Sequence, residues 1–365
     1  MTYLVKMKLL YITNGINGAG GLERVLSIKA SSLAEIHGYE VSILSLNENY
    51  KNPFYSFSEK IEMLSVSVSG NVFEYIKSYK KLIQQIVTKV NPDIILVCDD
   101  GLKAFFIPRI LEKKMPIIYE RHVSKLIELP LNANWIQKFK ARLKWVLMDY
   151  LAKDFTAFVV LTNGNQKEWK QLHNLHVIAN PNTFETNMKA DLSSKKVICV
   201  GKISVQKGQD LLVKAWEKVV KQFPDWELHN YGNIDETLVK IEELPSNMFL
   251  HLPVKNIADK YLESSIYVLP SRYEGFGMVL IEAMSFGIPC IAFDCNYGPS
   301  DIITNGEDGI LVEVGKVDQL AEQLILLIKD EELRNRMGRK AEENIKRFSQ
   351  DEILKSWDQL FKSII

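Results

Sequence analysis

PSRYEGFGMVLIEA, residues 270–283, is the stretch whose reading decides the fold. The run before it, 265–269, is short and β-rich and reads as a buried strand. Pro270 closes that strand, because proline cannot donate to a ladder. Glu274-Gly275-Phe276-Gly277 then makes a loop whose two glycines let the backbone approach a ligand closely. From Met278 onward, Val279, Leu280, Ala283 and Met284 recur at helical spacing. A helix N-terminus therefore points out of the loop, with unpaired N–H groups and a positive dipole end. That is an anion site made of backbone.

Glu274 lies before this helix and Glu282 inside it. At about 1.5 Å of rise per residue, the two carboxylates grip groups roughly 10 Å apart. That is too far for one acid/base dyad on one bond. A carboxylate, an amide-lined anion pocket and a second carboxylate fit a ligand with hydroxyls at both ends and phosphate between. A nucleotide diphosphate sugar is such a ligand.

Outward from this stretch, strand and helix alternate. In the first half, strands are expected at 7–12, 39–46, 61–68, 93–98, 116–120, 156–161 and 177–179, with helices at 23–37, 75–90, 102–112 and 165–172. In the second, strands are expected at 197–200, 226–231, 248–251, 265–269, 288–293 and 309–312. Helices follow at 211–219, 317–328, 339–348 and 349–365. VIL-rich strands alternating with helices imply parallel sheets covered on both faces, an α/β chain. Ligands on such sheets bind at the carboxyl ends of strands. The polar, turn-rich stretch 181–195 reads as a linker between two domains, 1–182 and 183–349.

The composition bounds the partners. The chain has 365 residues, 47% hydrophobic and 25% charged, with formal net charge +0. It has no global basic field, so nucleic acid is not the expected partner. Cys98, Cys199, Cys290 and Cys295 lack zinc-finger spacing, which points to reduced thiols in the cytoplasm and to no metal. No apolar run reaches transmembrane length and no signal peptide is visible, so any membrane link is peripheral.

Four further stretches carry chemistry. Asn14 to Gly21, NGINGAGG, joins a strand to a helix and makes a second backbone cradle at Gly20 and Gly21. Its glycines do not have dinucleotide-fingerprint spacing. Gly201-Lys202-Ile203-Ser204-Val205-Gln206-Lys207-Gly208 puts two lysines on a glycine-bounded loop after a strand, suited to a diphosphate. His122, after Glu120-Arg121 at a strand end, is either a structural histidine or a site residue. Asp99-Asp100 is not D-x-D and gives no metal-diphosphate site. Residues 135–153, WIQKFKARLKWVLMDYLAK, read as a helix with Trp135, Phe139, Leu143, Val146 and Tyr150 at steps of three and four. Lys138, Lys140, Arg142 and Lys144 supply cations. It reads either as a helix lying on an anionic membrane or as a domain-covering helix with a solvated basic face.

The E-x7-E spacing inside SRYEGFG…EAM, with Gly287-Ile288-Pro289 beyond it, resembles the retaining glycosyltransferases of family 4, bacterial surface-polysaccharide type. The resemblance covers nearly the whole chain and is strongest over 197–315. It implies the GT-B fold, two Rossmann-like doubly wound parallel-sheet domains facing a cleft, with the C-terminal helix 350–365 packing back on the first. It implies transfer of a hexose or N-acetylhexosamine from a nucleotide sugar, with UDP as the expected carrier, to a glycan or lipid-linked saccharide, with no cofactor and no metal. Lys207 and Lys202 would stabilise the departing diphosphate. The family usually has arginine where Lys202 stands, so charge is kept and bidentate geometry lost. Glu274 would hold sugar hydroxyls, Glu282 ribose hydroxyls, and His122 would lie near the transferred sugar. Gly20, Gly21, Gly201, Gly275, Phe276, Gly277, Met278 and Val279 would line the donor through the backbone. Tyr231-Gly232 would lie beside the nucleotide and Lys255-Asn256 near the base. The setting would be the cytoplasm, at the inner face of the membrane if the basic helix docks there. Two other classes fit the same scaffold: a nucleotide-sugar epimerase, which needs no acceptor, and a non-catalytic sugar-nucleotide-binding partner of a transferase.

Overall fold

Leu9, Leu10, Tyr11 and Ile12 are fully buried in the first strand, as a strand covered on both faces requires. A computed structural model describes residues 6–48, 53–112, 114–129, 133–240 and 243–365. Contacts divide the chain into two units, Met1–Thr183 with Gln350–Ile365, and Phe184–Ser349.

The first unit carries β1 (Lys8–Thr13), β2 (Glu40–Leu46), β3 (Glu62–Val66), β4 (Ile94–Cys98), β5 (Ile117–Arg121), β6 (Ala157–Val160) and β7 (Leu175–Val177). They form one parallel sheet in the order β3-β2-β1-β4-β5-β6-β7. Its helices are α1 (Gly21–Glu35), α2 (Val72–Val90), α3 (Ile107–Ile110), α4 (Trp135–Ala152) and α5 (Asn163–Gln166). The order reverses between β1 and β4, so the loops leaving these strands diverge and open a crevice at their carboxyl ends.

The second unit carries β8 (Lys196–Val200), β9 (Glu227–Tyr231), β10 (Met248–His251), β11 (Ile266–Leu269), β12 (Cys290–Phe293) and β13 (Gly309–Val312). They are parallel in the order β10-β9-β8-β11-β12-β13, with the reversal at β8 and β11. Its helices are α6 (Gln209–Val220), α7 (Ala258–Leu262), α8 (Met278–Ser285), α9 (Pro299–Ile302), α10 (Val317–Lys329) and α11 (Glu331–Asn344). The last helix, α12 (Gln350–Ile364), belongs to the first unit. Ile353, Leu354, Trp357, Leu360 and Phe361 of α12 join the core that α1 shares with β1, β2, β4 and β5.

Three local expectations change. The helix expected over 165–172 is one turn, α5, followed by turns; Trp169 and Leu172 at its far end are buried in the core without helical backbone. The helix expected from 339 starts at Glu331, where Asp330 caps it by accepting from the Leu333 N–H, and ends in a 3-10 turn at Ile345–Phe348. The 181–195 stretch is polar yet largely tied to the second unit. Phe184 packs on Tyr261 and Phe286, the Ala190 and Asp191 N–H groups donate to the Phe286 and Leu262 carbonyls, and Arg334 Nε donates to the Leu192 carbonyl. Its few apolar groups hide that anchoring from a composition count.

Helix α4 orients unlike a covering helix. Ala141, Met148, Leu151 and Ala152 face the core. Trp135, Ile136, Phe139, Leu143, Val146, Leu147 and Tyr150 are exposed. At about 100° per residue these seven fall within one arc of about 120°. Lys140 and Lys144 lie beyond one edge of the arc and Lys138 and Arg142 beyond the other. The apolar periodicity marks the outer face, not the core face.

Candidate active site

In the second unit the two loops that leave β8 and β11 are stitched together. The Arg272 N–H donates to the Gln206 carbonyl at 2.8 Å, Arg272 Nη1 donates to the Val205 carbonyl at 2.7 Å, and Gln206 Nε2 donates to the Tyr273 carbonyl at 3.3 Å. Arg272 also forks onto Asp210 in the first turn of α6, at 2.8 and 2.7 Å. Burial works against the Asp210 carboxylate, but the guanidinium outweighs it and holds the carboxyl below its usual range. Gly208, at φ +71°, sits so close to β11 that a Cβ would lie 2.0 Å from the Pro270 carbonyl oxygen.

This stitching delivers Lys207 to Glu274. Lys207 Nζ donates to Glu274 Oε1 at 2.7 Å, and Ser271 Oγ donates to the same oxygen at 2.6 Å. Glu274 is 5% exposed, so its charge needs these partners. Burial pushes the neighbouring Cys199 thiol up to about 12, against the Lys207 ammonium, so it is no nucleophile at neutral pH. Three residues on from Glu274, Gly277 caps α8 at φ +103°. The first N–H groups of α8 have no acceptor within the helix. The Phe276 side chain is buried against Phe348, so only its main chain belongs to the loop surface.

The remaining expected donor residues lie at the same end of this sheet. Gly201 follows β8 and Gly232 follows β9; a Cβ on Gly232 would lie 2.2 Å from the Gly201 carbonyl oxygen, so these strand ends nearly touch. Tyr231 stacks on His251 with ring centroids 4.5 Å apart. Lys202, Lys255 and Asn256 are exposed, and Asn256 Nδ2 donates to Asp259. Glu282 is 2% exposed, with Tyr261 Oη donating to its Oε2 at 3.0 Å.

In the first unit, Gly20 and Gly21 open α1 at the end of the loop after β1, and both are exposed. Beside them, at the end of β4, Asp99 accepts from Asn14 Nδ2 at 2.5 Å and from the Gly101 N–H at 2.7 Å. Burial pushes its carboxyl up, against the pull of Lys103 and the Gly101 N–H. Buried Arg121 spans from β5 to the Asp100 carbonyl at 3.0 Å. His122 follows, its side chain 8% exposed, with Nε2 3.4 Å from Glu120 Oε2.

Arg272–Asp210, Tyr261 and the Lys29–Glu120 pair are not legible from sequence, since each joins distant positions through polar side chains that read as surface. Cys98, Glu120 and His122 offer ligand atoms within 4.8 Å of one another. The Lys29 ammonium already lies on the Glu120 carboxylate, where a cation would add a second positive charge.

Two parallel Rossmann-like sheets, with a lysine, a carboxylate and a helix N-terminus at the reversal of the second, define a GT-B glycosyltransferase. Residues 183–344 match the family described as Glycosyl transferases group 1, and residues 20–163 match Glycosyl transferase 4-like. An uncharacterized glycosyltransferase of Haemophilus influenzae is 30% identical, covering 96% of this chain and 98% of its own. The chain belongs to this glycosyltransferase family and is a transferase. The amylovoran biosynthesis glycosyltransferase AmsD of Erwinia amylovora is 29% identical over 97% of this chain and 99% of its own. Among solved structures, Anabaena HepE in complex with UDP superposes with a TM-score of 0.77 at 18% identity, covering 98% of this chain and all of that one.

Proposed function

We propose that this chain moves a hexose or N-acetylhexosamine from a UDP-sugar to a glycan or lipid-linked saccharide, with retention at the anomeric carbon, in cell-surface polysaccharide biosynthesis. The observation that carries the reading is the convergence of Lys207, Glu274 and the N-terminus of α8 within one stitched pair of loops. A diphosphate placed there draws the Lys207 ammonium toward itself and meets the α8 amides, so charge on the leaving group is stabilised as it develops. The Glu274 oxygen that Lys207 releases then accepts sugar hydroxyls. Lys202 adds a mobile charge at the mouth, and Glu282 holds ribose hydroxyls. The leaving phosphate, rather than a side chain, takes the acceptor proton. The bound UDP of HepE and the amylovoran pathway named for AmsD support the donor and the setting.

Thermal shift against UDP, GDP and ADP tests the donor. UDP is expected to raise the melting temperature most, and an unchanged midpoint with UDP overturns the base assignment. A product with the donor's anomeric configuration, formed equally in EDTA, is expected by NMR. Inversion, or loss of activity restored by a divalent ion, overturns retention or metal independence.

The exposed arc of α4 supports docking on an anionic membrane at its cytoplasmic face, where a lipid-linked acceptor is met. Among the described residues no helix is long and apolar enough to cross a membrane, but α4 offers seven exposed apolar side chains flanked by lysine and arginine. Each basic group near an anionic surface contributes about 1 kcal/mol and each buried large side chain roughly 1.5–3 kcal/mol. The protein is expected to sediment with phosphatidylglycerol vesicles. The triple variant Phe139→Ser, Leu143→Ser, Val146→Ser is expected to bind at least a hundredfold more weakly. Unchanged binding by the variant, or self-association through α4 without vesicle binding, overturns the docking.

A further inference from the structure

Glu282 is held by a neighbour to which no role above gives a part. Tyr261 Oη donates to Glu282 Oε2 at 3.0 Å, and both residues are buried within the second unit. Tyr261 belongs to α7, and its ring is packed from several sides. It stacks on Phe286, at the end of α8, with centroids 5.5 Å apart. It is tilted against Tyr267 of β11 at 6.2 Å, and Phe184 meets it edge-on at 6.2 Å. A phenylalanine would make the same ring contacts. A hydroxyl taken out of water costs free energy unless it is bonded, so the Tyr261 hydroxyl calls for a reason other than packing.

The carboxylate supplies that reason. Glu282 lies in the second turn of α8 and is 2% exposed. A glutamate side chain keeps much rotamer freedom unless it is held. One with so little surface meets a ligand only if its carboxyl is aimed at the opening, and a rigid phenol on the neighbouring helix fixes that aim. Tyr261 is a neutral donor, unlike the Lys207 ammonium on Glu274. It holds the carboxylate without cancelling its charge, and hydrogen bonds to a charged acceptor are the stronger ones. Each carboxylate oxygen has two acceptor sites, so Oε2 can take the phenol and a ligand hydroxyl together. Helix α7 also starts at the turn expected near the base. Ile257 caps it directly after Lys255-Asn256, and the Tyr261 N–H donates to the Ile257 carbonyl at 3.1 Å. Asn256 Nδ2 donates to Asp259, in the first turn of α7, at 2.7 Å. One helical turn thus separates the base turn from the group that aims the carboxylate.

We propose, building on the assignment of Glu282 to ribose above, that Tyr261 is a positioning residue that aims Glu282 at the ribose hydroxyls and so makes the site select ribonucleotides over 2′-deoxyribonucleotides. A held carboxylate accepts from the 2′- and 3′-hydroxyls together. A ligand without the 2′-hydroxyl then leaves a buried acceptor unpaired, which is how a polar site rejects an analogue. A released carboxylate turns to whichever hydroxyl is present, and the missing one is hardly felt.

Affinities of the full chain for UDP, GDP and ADP, each against its 2′-deoxy form, test this. The native chain is expected to bind the tightest of these ribonucleotides at least about tenfold better than its deoxy form, the worth of one hydrogen bond to a charged group. Tyr261→Phe keeps the ring packing and is expected to cut that ratio to below about threefold. Glu282→Ala is expected to bring the ratio near unity, and Tyr261→Phe added to it is expected to change nothing more, because the two act as one unit. With the sugar donor, Tyr261→Phe is expected to raise KM about tenfold and leave kcat within about twofold, because the ribose contact is the same in the ground and transition states. A merely structural tyrosine would lower the melting temperature and leave the ratio unchanged. That result, beside a lost ratio in Glu282→Ala, overturns the role of Tyr261 alone. A native ratio in Glu282→Ala overturns the ribose assignment and the positioning role with it. Binding of none of the three ribonucleotides overturns the donor reading and both roles. Should Glu282→Ala not fold, Glu282→Gln keeps the shape without the charge and is expected to move the ratio in the same direction.

Discussion

Lys207→Ala is expected to lower kcat/KM for transfer by about 10²- to 10³-fold, the loss seen when one preorganised donor to a developing anion is removed. Two losses combine. The diphosphate loses a point charge, and Glu274 loses the ammonium that satisfies it at 2.7 Å, keeping only Ser271. The second loss acts on the protein without ligand and is read as a fall in melting temperature. The first is read by ligand choice. Affinity for UDP is expected to drop with the substitution, while affinity for uridine, which has no phosphate, is expected to hold. Lys207→Arg keeps the charge and is expected to recover part of the UDP affinity. Adding Glu274→Gln to Lys207→Ala is expected to restore the melting temperature, since a neutral amide needs no ammonium, without restoring transfer. Equal UDP affinity in Lys207→Ala and the native chain removes the diphosphate assignment.

How much of this was legible in the sequence depends on the type of residue involved. Buried parallel strands announce themselves, because a strand covered on both faces must be apolar throughout, and IILVC and IYVL are. The loops that leave them are legible too, since Gly, Pro and a change of period mark them. Lys207 and Glu274 stand next to such marks, at the ends of β8 and β11. What the sequence conceals is polar burial and the direction of a helix face. Lys29 sits in SIKAS, where a lysine ordinarily reads as solvated; only the sheet beneath α1 shows that Glu120 waits there. In α4 the periodicity was readable, but period alone does not say whether an apolar stripe faces inward or out. The core contact of α4 runs through Ala141, Met148, Leu151 and Ala152, a narrower stripe than the aromatic one it opposes. Glu282 is legible as a carboxylate on α8, whereas its support by Tyr261 depends on the packing of α7, a helix of a turn and a half that leaves almost no periodic trace.

Gly208→Ala is expected to damage catalysis as severely as the loss of Lys207, without touching a charged group. Gly208 begins α6 in the left-handed region, φ +71° and ψ +23°, which costs a side-chain-bearing residue about 1–3 kcal/mol. That cost alone would be tolerable. The larger effect is steric, because a Cβ would lie 2.0 Å from the Pro270 carbonyl oxygen, a backbone atom with no freedom to rotate away. The loop 201–208 must retreat from the end of β11, and the Gln206–Arg272 and Lys207–Glu274 contacts stretch with it. A shift on the order of 1 Å at a reacting centre costs about 10²-fold. Gly315→Ala separates the two contributions, since Gly315 has φ +82° with nothing within 4 Å of an added Cβ. It is expected to lower the melting temperature modestly and leave kcat/KM within about twofold, as sites without shared contacts behave independently. Gly208→Ala is expected to lower the melting temperature further and to cut kcat/KM at least a hundredfold while the far-ultraviolet circular dichroism keeps its native shape. Matching losses in the two variants would mean that the close approach to Pro270 does not set the position of Lys207, and that the lysine reaches the donor by some other support.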